Sequence, residues 1–243
     1  AITEYELIKD NDKIAVCISG GKDSFLMAKC FQELKKHGKI NFELEFIVMD
    51  PGYNEENSKI IKENAKLLDI PIKVYDSNIF LALQNMDLKS PCYMCARMRR
   101  GNLYKIAKDF ECNKIALGHH YNGVIETILL GMFYNGEIVS MLPKIKSKNF
   151  LGMELIRPLY LVREASIYNW MNYNNLKFIN CACPLKQEDS KRKEIKELIK
   201  ELKKTNKYIE YNIFKSVENV NINQIMGYYD FDKRYNYYDD YEK

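Results

Sequence analysis

Two stretches of the chain combine residue types that can do chemistry. The first is Ser19-Gly20-Gly21-Lys22-Asp23-Ser24, between an apolar run and a helical pattern. Adjacent glycines open backbone conformations closed to other residues and strip side chains from a turn. Successive N–H groups can then converge on an anion, joined by the unpaired N–H groups and positive dipole end of a helix starting near Asp23. Ser19 and Ser24 add hydroxyls, and Lys22 adds a charge that neutralises phosphate. Asp23 is unsuited to bare phosphate and implies Mg²⁺ between them. The spacing is neither that of a Walker A loop nor that of the Gly-x-Gly-x-x-Gly dinucleotide turn. An ordinary strand–helix turn capped by Asp23 or Ser24 would not need Lys and Asp side by side after two glycines.

The second stretch is Pro91-Cys92-Tyr93-Met94-Cys95, which sets two thiols one turn apart, and Cys181-Ala182-Cys183 supplies one or two more. Such a set suits Zn²⁺ held by four thiolates or an iron–sulfur cluster, and spacing alone does not choose. A cluster held by three cysteines leaves one iron open to a further ligand. A thioredoxin-like redox pair would follow a strand, which this pair does not. Arg97, Arg99 and Arg100 surround Cys92 and Cys95, with Lys89, Lys105 and Lys108 nearby. Lys144, Lys146, Lys148, Arg157 and Arg163 make a second basic series, and a third runs from Lys186 to Lys207. Basic clusters beside aromatics point to RNA phosphates and an unstacked base; for the last series a solvated helix face is an equal reading. His119 and His120, after Gly118, are candidates for binding a nucleotide or bracing its loop. Glu126 reads as a helix cap or brace acting through Thr127.

These residues need a scaffold. At 243 residues, 47% of them apolar, the chain can bury one sizeable core with a smaller appendage. A formal charge of +4 permits a nucleic-acid partner without requiring one. No apolar run reaches membrane-spanning length, no secretory pattern opens the chain, and the seven cysteines do not read as a disulfide scaffold. A reducing, cytoplasmic setting is expected. Cys17, Cys30 and Cys112 are expected in the core.

Lys13–Ile18, Leu44–Asp50, Pro71–Tyr75, Lys114–Leu117 and the short Leu155–Ile156 read as strands. Asp23–Lys36, Glu55–Leu68, Arg99–Phe110, Val124–Phe133 and Glu188–Lys204 read as helices. This alternation predicts an α/β fold with a mainly parallel sheet covered on both faces, binding its ligand beyond the carboxyl ends of the strands. Ser19–Ser24, Asp50, His119 and His120 all fall there. The expected division is 1–180 for the core domain and 181–243 for a small helical extension, ending in a Tyr/Asp-rich tail without clean periodicity.

The hexapeptide resembles the PP-loop of the ATP pyrophosphatases, members of the Rossmann-like adenine nucleotide alpha-hydrolase group. That resemblance implies that Ser19, Gly20, Gly21, Lys22, Asp23 and Ser24 grip the pyrophosphate end of ATP, with Asp50 and His119 near the nucleotide and Asp23 on Mg²⁺. CYMCARMRRGNLY (Cys92–Tyr104), GHH (Gly118–His120), ETILLGMFYNG (Glu126–Gly136), MLPK (Met141–Lys144) and RPLYLVRE (Arg157–Glu164), with EYELI (Glu4–Ile8), follow the order seen in tRNA 2-thiocytidine synthetases. The resemblance runs from about residue 4 to residue 200.

What that family implies is a 4Fe–4S cluster on Cys92, Cys95 and Cys181, with Cys183 the alternative because C-x-C stands where the family has C-x-x-C. Lys22, Asp23, Cys92 and Cys95 would be catalytic, and Arg97, Arg99, Arg100, Lys144 and Arg157 would bind tRNA. The expected reaction adenylates cytidine O2 and replaces it with sulfur from a sulfide or persulfide donor; a homodimer is an open expectation. The family usually carries two aspartates after Gly-His-His/Asn-x, where this chain has Asn122-Gly123. An amide oxygen can touch Mg²⁺ but supplies no charge and no base. The competing readings are sulfur insertion into another nucleoside or a small molecule, and a non-catalytic RNA-binding protein with a four-cysteine zinc site.

Overall fold

The structure, a computed structural model, describes residues 1–84, 86, 91–179, 191–230 and 232–241. The apolar run that opens the chain becomes β1 (Asp12–Ile18), and the glycine turn leads into α1 (Lys22–His37). There follow β2 (Phe42–Asp50), α2 (Glu55–Leu67), β3 (Ile72–Asp76), α3 (Ile79–Gln84), α4 (Pro91–Asp109), β4 (Lys114–Ala116) and α5 (Tyr121–Leu130). A π-helical turn, Gly131–Asn135, extends α5. β5 (Lys144–Lys146), β6 (Glu154–Ile156) and α6 (Glu164–Tyr173) complete the sheet region. Beyond it lie α7 (Lys191–Thr205), α8 (Ile209–Ser216), β7 (Gly227–Asp230), β8 (Lys233–Asn236) and α9 (Tyr238–Tyr241).

The six-stranded sheet has the order β3-β2-β1-β4-β6-β5, parallel except for β5, which pairs antiparallel with β6. Strand β1 shows why the run is continuously apolar. Ile14, Val16 and Ile18 join the cluster on one face with Phe25, Phe31, Ile61 and Ile167, while Ala15 and Cys17 join Ile47, Tyr104, Ala107 and Ile115 on the other. A strand covered on both faces must be apolar at every step. Each buried aliphatic side chain here contributes about 1.5–3 kcal/mol relative to exposure.

After β1 the chain winds outward through β2 to β3, then returns to place β4 on the other side of β1. The order therefore reverses between β1 and β4, and a crevice opens at such a switch point. The turn after β1 and the first turn of α1 carry Ser19–Ser24, and the loop after β4 carries His119 and His120.

Two compact units are described: Ala1–Val124 with Met141–Ser190, and Ile125–Ser140 with Lys191–Lys243. The second unit thus joins residues 125–140 to residues 191–243. Within it, buried Glu126 meets Arg192 at 2.8 Å and Lys196 at 3.6 Å. Glu126 braces α7 by ion pairs, a partnership not readable from its neighbour Thr127. The tail forms the antiparallel β7–β8 hairpin, with Tyr228 and Tyr235 stacked at 4.9 Å. Among the described residues no helix is long and apolar enough to cross a membrane.

Some expectations change. Helix α4 starts at Pro91, not Arg99, because proline suits a first helical position. Cys30 is exposed on α1, whereas Cys17 and Cys112 are buried as expected. Their burial pushes the Cys17 thiol up to about 12 and the Cys112 thiol up to about 11.

Candidate active site

The turn after β1 is held by one hydroxyl and one bare carbon. Ser24 Oγ donates to the Gly21 carbonyl at 2.8 Å and accepts from the Ser19 N–H at 3.1 Å. Gly20 has φ +85°, and a Cβ there would stand 2.5 Å from Ile179 and 2.9 Å from Ile61. Across the switch point, a Cβ on Gly118 would stand 3.0 Å from the backbone of Asp23 and Ser24. This close approach brings the His119-His120 loop against the N-terminus of α1. Of the predicted phosphate donors, Ser24 is thus a brace within the loop.

Lys22 lies among charges. Its ammonium is 3.0 Å from Asp23, 3.2 Å from Glu164 and 4.7 Å above the Tyr168 ring. Burial draws its pKa down, but the two carboxylates more than offset this and leave it above the ordinary lysine value. His120 Nε2 is 4.0 Å from Asp23 and 3.9 Å from Glu164. Asn122 Oδ1 accepts the Glu164 N–H at 2.9 Å, at the start of α6. The Asn122 amide is a helix brace here.

Two cavities meet at this loop. The smaller, 280 Å³, lies over the ends of β1, β2 and β4 and is lined by Cys17, Ile18, Met49, Leu103, Leu117, Gly118 and His119. The larger, 760 Å³, is lined by Gly21, Lys22, Tyr53, Phe80, Cys95, Tyr168 and Phe178. Ser19, Asp23 and Arg99 line both.

Helix α4 presents different faces to these spaces. Cys95 and Arg99, four residues apart, share one face, and Arg99 donates to Tyr53 Oη at 3.3 Å. Tyr53 in turn donates to the Ser19 carbonyl at 2.9 Å, so the cysteine-bearing helix is tied to the glycine turn through two side chains. Burial pushes the Tyr53 phenol up, against the pull of Arg99. Tyr93, Arg97 and Arg100 line a 390 Å³ groove with Ser147, Asn149 and Phe150, and Arg100 also lines the smaller cavity.

Cys92 falls on the first turn of α4, three residues before buried Cys95. Cys181 and Cys183 lie outside the described residues. Among the described residues no three His, Cys, Asp or Glu side chains group to hold a metal ion. Cys95 lines the larger cavity, and a thiolate there suits an iron–sulfur cluster as a ligand.

Three expected residues turn out otherwise engaged. Asp50 Oδ1 accepts the Gly52 and Tyr53 N–H groups at 2.8 and 2.6 Å, and Oδ2 accepts from Ser58 at 3.3 Å. It lines neither cavity and acts by setting the turn that carries Tyr53. Arg157 is buried at 5% exposure, with Nη1 donating to the Leu142 carbonyl, so it is not an RNA-facing residue. Burial, helped by Arg100, lowers its pKa to about 10. Lys144 donates to the Glu6 carbonyl at 2.8 Å and lies 3.8 Å from Glu154, which anchors β5. Tyr53, Glu164 and Tyr168 escaped the sequence reading. Glu164 was visible only as the last residue of RPLYLVRE, and Tyr53 only as the third residue after Asp50.

Residues 2–203 match the PP-loop domain family. The chain belongs to that family. A curated tRNA-cytidine(32) 2-sulfurtransferase from Geotalea uraniireducens is 35% identical over 223 residues, covering 90% of this chain and 88% of its own length. The protein of the same name from Hahella chejuensis is 35% identical over 240 residues, covering 96% of this chain and 83% of its own. The U34-tRNA thiolase NcsA from Methanococcus maripaludis, solved with its 4Fe–4S cluster, superposes with a TM-score of 0.72 at 24% identity, over 88% of this chain and 72% of that one. The PP-loop fold expected from the glycine turn is the observed one.

Proposed function

We propose that the protein is an ATP-dependent tRNA thiolase that converts a cytidine to 2-thiocytidine. The observation that carries this reading is that Cys95 and the Lys22–Asp23 pair line one cavity, so activation of an oxygen and its replacement by sulfur can share a chamber. The curated relatives named above support the tRNA substrate and the cytidine.

The smaller cavity, walled by Met49, Leu103 and Leu117, suits the adenosine of ATP, with the phosphates reaching the Ser19–Lys22 turn. Backbone N–H groups and Lys22 hold the departing pyrophosphate, and Asp23 would hold Mg²⁺, which when bound would neutralise phosphate charge. Arg99 lies where the two cavities join and is better placed for ATP phosphate than for RNA. Arg97 and Arg100 take RNA phosphate at the groove beside Tyr93. An everted base enters the larger cavity among Tyr53, Phe80 and Tyr168.

Cytidine O2 attacks the α-phosphorus and pyrophosphate leaves. Sulfide then attacks C2, and the C–O bond breaks as AMP departs with the former base oxygen. Cys92, Cys95 and Cys181 or Cys183 would hold the 4Fe–4S cluster, which when bound supplies a site for the sulfur. A sulfide donor replenishes it, or a persulfide donor together with a two-electron reductant.

Anaerobically purified protein, assayed for iron, acid-labile sulfide and 2-thiocytidine in tRNA by mass spectrometry, tests the reading. Cys95→Ser is expected to abolish thiolation while keeping ATP binding. Zinc in place of iron, with RNA binding indifferent to ATP and no thiolated product, would replace the enzyme by a zinc-bearing RNA-binding protein.

A further inference from the structure

Lys22 is a long side chain whose ammonium must stand in one place when a triphosphate arrives. Freezing such a chain costs rotamer freedom, so something has to hold it beforehand. Two of its three partners come from one turn of α6: Glu164 at 3.2 Å and Tyr168, four residues on, at 4.7 Å from the ring. The third is its neighbour Asp23. Where α6 begins therefore decides where Lys22 stands.

That beginning is tied to α5 three times. Asn122 Oδ1 accepts the Glu164 N–H at 2.9 Å. The Tyr121 N–H donates to the Val162 carbonyl at 2.9 Å, and Arg163 lies 4.8 Å over the Tyr121 ring. The α6 N-terminus has no capping side chain of its own at Arg163. Asn122, from another helix, does that work across 42 residues of sequence.

We infer that Asn122 and Glu164 are positioning residues of the glycine turn: Asn122 fixes the start of α6, and α6 presents Glu164 to Lys22. The inference rests on the proposed phosphate-binding role of Lys22 and extends it to residues outside the turn. The bond to the Glu164 N–H needs an acceptor oxygen and not a charge. Asp23 and Glu164 already supply two carboxylates at the lysine.

The test reads the lysine directly. Full-length protein is treated with an amine-acylating reagent, and labelling of Lys22 is followed by mass spectrometry, alongside calorimetric titration with Mg·ATP and AMP formation with tRNA. Loss of one such hydrogen bond or charge contact corresponds to about a tenfold change, so Asn122→Ala and Glu164→Gln are expected to raise the Lys22 labelling rate and weaken Mg·ATP binding by about that factor. Asn122→Asp, which keeps the acceptor, is expected to restore the protection lost in Asn122→Ala. Thermal unfolding of each variant confirms that it is folded.

Wild-type labelling rates in folded Asn122→Ala and Glu164→Gln would overturn the inference, as would labelling in Asn122→Asp as fast as in Asn122→Ala. The labelling and titration need no tRNA. Absence of AMP from every protein, wild type included, would therefore count against the proposed function and leave the positioning decided by the other two measurements.

Discussion

The sheet holds a lysine between two carboxylates at each of its ends, and the two clusters differ in what surrounds them. At the amino end Lys114, from the first residue of β4, faces Asp12 of β1 at 3.5 Å and bonds Glu154 of β6. Asn113 completes it, donating to Asp12 at 2.7 Å and accepting the Lys13 N–H at 2.9 Å. Each partner sits on a strand end, and the lysine side chain is 4% exposed. At the carboxyl end Lys22 faces Asp23 and Glu164 from a glycine turn and a helix start, and opens on a 760 Å³ cavity. The first cluster is closed and clamps three strands. The second is held by elements around a space, so its charges can be lent to a ligand. Similar ion pairs serve stability or chemistry according to whether a cavity adjoins them.

The sharpest way to break this contrast is to remove each lysine. Lys22→Ala is expected to lower AMP formation by about 10²–10³-fold, the cost of losing one preorganised charge at a reacting centre, with little change in thermal midpoint. Lys114→Ala should do the reverse: stability falls by about 3–5 kcal/mol in urea titrations, because buried Asp12 loses its lysine and Glu154 keeps only Lys144, 3.8 Å away, while ATP affinity of the folded fraction holds. Equal effects of both substitutions on stability would erase the distinction. Next in size, Gly118→Ala forces a methyl against the Asp23–Ser24 backbone and is expected to cost about 1–3 kcal/mol together with a loss of ATP affinity.

A smaller effect concerns the buried thiols. Cys17 and Cys112 stay protonated in the folded protein up to about pH 12 and 11, whereas in the unfolded chain they ionise near 9. The unfolded state therefore binds fewer protons above pH 9, and stability falls as pH rises. Each thiol adds a slope of at most about 1.4 kcal/mol per pH unit, and Cys17→Ala should remove its share between pH 9 and 11. Smallest is Tyr53→Phe, which drops the bonds to Ser19 and Arg99 and is expected to weaken Mg·ATP binding by up to about tenfold, in line with about 0.5–1.5 kcal/mol per hydrogen bond.

The core was legible because its signals are local. Continuous apolar strands, a helical stripe after a double glycine and the spacing of Gly118 to His120 each depend on neighbours in sequence. What escaped depends on distant partners. Arg157 reads as a surface cation by type, yet it is buried beneath the Leu142 carbonyl. The sequence KIK of β5 has the composition of a loop and becomes an edge strand because Lys144 is anchored at Glu6. The start of α4 packs Met94, Cys95 and Met98 against Phe80 and Leu83 of α3, a short stripe that the cysteine spacing masks in the sequence. Glu164 gained its place through Asn122, which no local pattern reveals.

Helix α4 bears a thiol and Arg99 toward the larger cavity, and Tyr93, Arg97 and Arg100 toward the groove. These groups ride one shaft, so a change that rotated or lengthened it to suit a different RNA would throw the sulfur chemistry out of alignment at once. The opposite bank of the groove is coupled to the same shaft, because Phe150 stacks on Tyr104 of α4 with ring centroids 5.0 Å apart.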